Sequence, residues 1–190
     1  MDDAVSFSTS FRSSSTSISL EANDSHALLT GSSATTLIGN ISNNILTGNQ
    51  AANSISAGLG RDILTGGGGA DQFRINNAIE SRLGSQSNSI DWIRDFEVGV
   101  DQIIGPSGTT IQQAVLMGAV TQLSNAAIGQ LLNTTTFASD VPAAAFTLTG
   151  LDGTHTYLAV NNGISGFNAQ DDVLLEITGL RGALLSSTEI

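Results

Sequence analysis

The chain has 190 residues, a formal net charge of −11, no lysine and six arginines, a balance that repels nucleic acid and anionic membrane surfaces. It has no cysteine, which excludes disulfides and thiolate sites, and no run is apolar and long enough to span a bilayer. A hydrophobic content of 40% with 21 glycines against 2 prolines suits a turn-rich β protein, either one domain or a small repeat module with a second small domain.

Residues 1–20 are rich in serine and threonine, with Phe7, Phe11, Ile18 and Leu20 among them, and read as an N-terminal lead-in or an irregular cap. They carry no basic segment followed by an apolar one, so no cleavable secretory signal is visible. From Glu21 to Arg74 the chain repeats every nine residues. Leu28, Leu37, Leu46, Ile55, Leu64 and Phe73 keep that spacing, and two places before each stand His26, Thr35, Asn44, Asn53, Asp62 and Asp71. Glycines gather at the front of the units: Gly31, Gly39, Gly48, Gly58 with Gly60, then Gly66 to Gly69.

Each unit reads as a polar loop followed by a short strand whose middle side chain points inward. One such strand buries almost nothing, so the units must stack. His26 and Thr35 are poor ligands and Asp24 falls out of phase, so the first two units read as structural coils without metal. Continuing the phase puts Glu80 over Asp62, but Arg82 then falls on the apolar column, and the array ends before it.

Residues 75–105 read as closing strands. A polar excursion over 76–90 precedes Asp91-Trp92-Ile93-Arg94-Asp95-Phe96, whose alternation sets Trp92, Arg94 and Phe96 on one face and Ile93 and Asp95 on the other. A turn at Gly99 then leads to Asp101-Gln102-Ile103. Pro106-Ser107-Gly108 marks a boundary, and residues 106–190 read as a small α+β part. Apolar spacing over Thr110–Asn133 predicts two short helices broken near Ser124-Asn125, either of which suits an N-cap. Strands follow at Phe146–Thr149, Tyr157–Val160 and Val173–Thr178, with a turn at Asp152-Gly153. The loop from Asn161 to Asp172 has Gly166 and Asp172 at the sixth and twelfth positions of a Ca²⁺ loop, but a thin ligand set otherwise.

The units Ala57–Thr65 and Gly66–Arg74 resemble the RTX (hemolysin-type) nonapeptide repeat, a Ca²⁺-binding parallel β-helix. The resemblance implies a mainly β fold: a short parallel β-roll over 21–74, followed by a small C-terminal part with two short helices and an antiparallel hairpin. It also implies that successive units alternate sides, so that an ion sits between one loop and the loop two units later. That pairs Asn44 with Asp62 and Asn53 with Asp71. The candidate metal set is these four residues, the loop glycines Gly58, Gly60, Gly67 and Gly69, and Asp91, Asp95 and Asp101. The last three look like the strand that closes the roll in RTX proteases and lipases, and are expected at a terminal Ca²⁺ site near Asp71. Asparagine in place of aspartate weakens a Ca²⁺ site by removing charge, so one to three ions are expected. Ladders of Asn and Asp can also hold such turns by hydrogen bonds alone.

Residues Thr156–Gly179 resemble the bluetail domain that follows RTX repeats in cyanobacterial surface proteins. Together the resemblances imply a non-enzymatic, secreted or surface-associated Ca²⁺-binding protein, exported by a route that reads a C-terminal signal. The alternative is a Ca²⁺-dependent secretion module of an RTX exoenzyme whose catalytic part lies elsewhere. Catalytic chemistry is scarce, with no cysteine, no lysine, and only His26 and His155 far apart. Calcium is the expected partner, with no nucleic acid and no membrane insertion; the residues name no protein or glycan partner. A flat ice- or glycan-binding face would need a long Thr or aromatic ladder, and Thr47 over Thr65 stops after two units.

Overall fold

The computed structural model describes residues 10–83, 89–106 and 108–186; Phe7, residues 84–88 of the polar excursion and Ser107 lie outside them. In chain order the strands are β1 (Ser10–Ser14), β2 (Ile18–Ser19), β3 (Asp24–Leu29), β4 (Thr36–Ile38), β5 (Ile45–Thr47), β6 (Ser54–Ser56), β7 (Ile63–Thr65), β8 (Gln72–Arg74), β9 (Asp91–Ile93), β10 (Gln102–Ile104), β11 (Thr110–Ile111) and β12 (Val115–Val120). Helix α1 (Asn125–Leu131) follows, then β13 (Ala143–Gly150), β14 (Gly153–Val160), β15 (Val173–Glu176) and β16 (Leu185–Ser186).

Successive strands of the repeat go to opposite walls. One wall runs β1-β3-β5-β7-β9 and the other β2-β4-β6-β8-β10, all parallel, with β11 closing the second wall antiparallel. This is the parallel roll that the resemblance to the RTX repeat implies. Residues 10–19 supply its first coil. Between the walls Leu37, Ile55, Phe73 and Ile103 stack in register from one side, and Leu46, Leu64 and Ile93 from the other. All are at most 1% exposed, and burying each contributes about 1.5–3 kcal/mol.

The first unit departs from the predicted phase. Ala27 and Leu29 point inward and Leu28 does not. Partners lie 18 apart later in the roll (Leu37↔Ile55) but 19 apart here (Ala27↔Leu46), so one extra residue enters the loop at 30–35. Gly31, at φ +79°, turns that loop.

The first wall continues past β9 into β15-β14-β13-β12-β16, so one ten-stranded sheet carries both parts of the chain. Its inner face extends the roll core through Leu175, Leu158 and Ala145. Its outer face forms a second core, where Phe146, Tyr157 and Leu174 meet Ile128, Leu132, Phe137 and Phe167. Phe146 and Tyr157 stack with ring centroids 5.5 Å apart.

Only one of the two predicted helices forms among the described residues. The N-cap reading at Ser124 holds, because its hydroxyl accepts from Ala127 N–H at 3.2 Å. The first predicted helix is instead β12, parallel to both β13 and β16. Val115 and Val120 favour strand, and Gly118, at φ +143°, sits in a register shift between Leu116 and Ala119, which mimicked helical spacing. The alternation read over 91–96 also fails. Strand β9 ends at Ile93, the chain bends, and Phe96 joins Ile93 inside at 2% exposure.

One ion pair ties the hairpin to its neighbour. His155 Nδ1 lies 2.8 Å from Glu176 Oε1, and Nε2 lies 3.3 Å from Asp152 Oδ2. The hydrogen bond to Glu176 raises the imidazole pKa. A raised folded-state pKa contributes stability that is full below the unfolded pKa of about 6.5 and lost as pH rises through the folded value. His155→Ala should therefore lower Tm at pH 5.5 by a few degrees and leave Tm at pH 9 nearly unchanged, read by thermal melts at both.

Candidate metal centre

The roll has two edges where loops stack. On the first, loop 39–44 leads to β5 and loop 57–62 to β7. On the second, loop 48–53 leads to β6 and loop 66–71 to β8. Stacking is by main-chain bonds: Leu59 N–H donates to Asn40 O at 3.0 Å and Gly68 N–H to Asn49 O at 2.9 Å. Glycine is required for that approach. At Gly67, with φ +101°, a Cβ would lie 2.0 Å from Asn49 O, and at Gly58, with φ +91°, 2.2 Å from Asn40 O. Gly60 and Gly69, also at positive φ, close the same loops against Ser42 and Ala51. Gly67→Ala should cost about 3 kcal/mol through strain and the lost approach, measured by urea unfolding in Ca²⁺.

The loops 57–62 and 66–71 each end on an aspartate that accepts from the main chain of the loop below. Asp62 Oδ1 accepts from Asn44 N–H at 2.6 Å, and Asp71 Oδ1 from Asn53 N–H at 2.7 Å. The pairings of Asn44 with Asp62 and Asn53 with Asp71 are therefore stacked neighbours. The ladders continue beyond the repeats. Asp91 Oδ1 accepts from Asp62 N–H at 2.8 Å on the first edge, and Asp101 Oδ1 from Asp71 N–H at 2.9 Å on the second. Asp95 caps the second edge by accepting from Gly66 and Gly67 N–H, both at 2.9 Å. Asp95 and Asp101 thus gather near Asp71 as expected. Asp91 does not: β9 pairs with β7, which carries Asp91 to the opposite edge, beside Asp62.

The two edges differ in how their carboxylates are satisfied. Both oxygens of Asp101 accept main-chain N–H groups, from Asp71 and Glu97. On the first edge Asp62 Oδ2 and Asp91 Oδ2 are buried without a donor, both residues are fully inaccessible, and their carboxyl groups lie against each other. With both ionised neither second oxygen has a partner, and only a shared proton or a cation supplies one.

Burial pushes Asp62 up to about 7 against the pull of Asn44 N–H. Burial, then the Asp62 charge, raise Asp91 well above the usual carboxylate range. Burial raises Asp71 to about 6, with Asp101 and Asp95 adding repulsion, and raises Asp101 as well. Glu80, 6% exposed, adds its charge to both Asp62 and Asp91. The nine-residue phase had placed Glu80 in this column. The array does end before Arg82, as expected: the chain leaves the roll after Ile75 and returns at β9.

Among the described residues no three Asp, Glu or His side chains are grouped to hold an ion by themselves, so main-chain carbonyls must complete any coordination. Hard carboxylate oxygens with carbonyls form the donor set of Ca²⁺, and the orphaned Asp62 and Asp91 oxygens fit it. His26 turns outward and bonds Ser25 Oγ at 2.7 Å, and Thr35 Oγ1 is buried without a partner. Asp24 is 4% exposed and accepts from Glu21 N–H at 2.8 Å, with Ser10 and Arg12 on its carboxylate. In the 161–172 loop the carboxylate of Asp172 is taken up by Asn162 and Asn168 N–H at 2.9 and 2.8 Å, and Asn161 Oδ1 by Gly163 N–H.

No curated protein is significantly similar to the chain. Residues 38–73 match the family description RTX calcium-binding nonapeptide repeat (4 copies), the span that includes both stacked loops of each edge. With the stacked geometry above, residues 38–73 are RTX calcium-binding nonapeptide repeats, and they indicate that this protein binds Ca²⁺.

Proposed function

We propose that the protein is a non-enzymatic, secreted or surface-associated structural module whose roll is set by Ca²⁺ held between stacked loops. The observation that carries the reading is the pair of buried, facing and unpartnered oxygens on Asp62 and Asp91. Asp62 and Asp91 would hold an ion on the first edge and Asp71 one on the second, where the oxygens of Asp95 and Asp101 already accept main-chain N–H groups, with carbonyls of the glycine loops completing each shell. The ion supplies the positive charge that lets buried carboxylates ionise side by side.

An ion that binds only the folded roll pulls folding forward by mass action, about 2.7 kcal/mol when free Ca²⁺ is a hundredfold above Kd. Ca²⁺-poor cytosol would leave the carboxylate coils loose, and millimolar Ca²⁺ outside the cell would close them. RTX repeats are typical of exported proteins, which supports this location. Circular dichroism and thermal melting in EDTA, then in millimolar Ca²⁺, test the reading. A Ca²⁺-dependent gain of β signal and Tm is expected, and identical curves would reject it.

A further inference from the structure

The four matched units are of two kinds, and the difference lies in the second position of each loop. The units beginning at Gly39 and Gly48 have Asn40 and Asn49 there and end on Asn44 and Asn53. The units beginning at Ala57 and Gly66 have Gly58 and Gly67 there and end on Asp62 and Asp71. An amide at the second position thus goes with a neutral loop end, and a glycine with a carboxylate.

The amides bridge loops. Asn40 Nδ2 donates to Glu21 O at 2.6 Å and to Asp24 O at 2.8 Å, both on the loop below. Its Oδ1 accepts from Ser42 N–H at 2.8 Å and Asn44 Nδ2 at 3.2 Å in its own loop. Asn49 repeats this on the other edge: Nδ2 donates to Ser33 O at 3.0 Å and Oδ1 accepts from Ala51 N–H at 2.8 Å. The electropositive end of the amide faces carbonyl oxygens of the neighbouring loop, the position a cation would serve. Asn44 Oδ1 and Asn53 Oδ1 close their own loops by accepting from Asn40 and Asn49 N–H at 2.9 and 2.8 Å. At Asp62 the second oxygen makes no such bond.

We propose that Asn40 and Asn49 are built-in substitutes for the interloop cation. The coils carrying them close without metal and present a finished template on which the Asp62 and Asp71 coils close when Ca²⁺ arrives. This rests on the Ca²⁺ reading of the aspartate loops and adds a division of labour to it. A neutral rung has no carboxylate to neutralise and exposes no charge to its neighbour. A roll made only of aspartate rungs has no metal-free coil to start from, and forming the first coil of a stack is its unfavourable step.

Hydrogen exchange read by mass spectrometry tests this on the full chain. In EDTA, residues 36–56 of the wild type should exchange more slowly than 63–74, and millimolar Ca²⁺ should then slow 63–74 as well. In the double variant Asn40→Asp with Asn49→Asp, each new carboxylate keeps its main-chain acceptor role but turns an oxygen toward the carbonyls below. Protection of 36–56 in EDTA should fall by about tenfold or more, and Ca²⁺ should restore it. Asn40→Gly with Asn49→Gly removes the amides without adding charge and should lose the same protection, which keeps the test open if the aspartate variant does not fold. The proposal is overturned if 36–56 exchanges as fast as 63–74 in wild-type EDTA samples, if the variants keep wild-type protection there, or if Ca²⁺ fails to restore the aspartate variant. Absence of Ca²⁺ protection at 63–74 in the wild type would instead reject the aspartate sites, since the EDTA comparison at 36–56 involves no metal.

Discussion

In EDTA, raising the pH from about 5 to about 8 should lower the unfolding free energy of the roll by on the order of 5 kcal/mol. Burial places Asp62 at about 7 and Asp71 at about 6 in the folded chain, against about 3.9 for an unfolded aspartate. Between those values the folded state holds protons that the unfolded state has released. The contribution to stability is therefore full below about pH 4 and is lost as pH rises through the folded pKa values. Asp91, also raised by burial and by the Asp62 charge, adds to the loss. Saturating Ca²⁺ should flatten or invert the slope, because the ion binds the ionised carboxylates and competes with their protons. Urea midpoints at both pH values, with EDTA and with Ca²⁺, decide the matter. A pH-independent midpoint in EDTA would mean that these carboxylates are neither as buried nor as close as the structure places them.

The roll was legible in the sequence because its determinants are local and periodic. An inward residue every ninth position and glycine at the tight approaches write the stacking into the chain, and Leu37 to Phe73 are buried as the spacing requires. The pairings of Asn44 with Asp62 and Asn53 with Asp71 came from the resemblance to the RTX repeat, which implies that successive units alternate sides. What the sequence hid depended on pairing between distant segments. The extra residue at 30–35 moved Ala27 into the place read for Leu28, a shift seen only once β3 is laid against β5. Asp91 went to the Asp62 edge because β9 pairs with β7 across the excursion that follows Ile75. In the C-terminal part, β12 looked helical because its apolar residues serve a twisted strand bulged at Gly118 between two partners, and neither partner is near in sequence.

Asp62→Asn should change sign with calcium. In EDTA at pH 8 the substitution removes an ionised group from a fully buried position and keeps the acceptor for Asn44 N–H. It also places an amide donor against Asp91 Oδ2, which has no partner in the wild type. Relieving an uncompensated buried charge and an orphaned acceptor should stabilise the metal-free roll by about 2–4 kcal/mol. In Ca²⁺ the same change removes a charged ligand, and first-edge affinity should fall by about a hundredfold, or about 2.7 kcal/mol of linkage. The variant should thus melt above the wild type in EDTA and below it in millimolar Ca²⁺. Asp71→Asn should show a weaker form of the reversal, because its edge is half-satisfied by main-chain donors and burial lifts Asp71 less than Asp62. A merely structural hydrogen-bond ladder predicts the same direction in both buffers, since amide and carboxylate accept the Asn44 bond alike. A variant less stable than wild type in EDTA would show that the facing oxygens of Asp62 and Asp91 are already satisfied without metal.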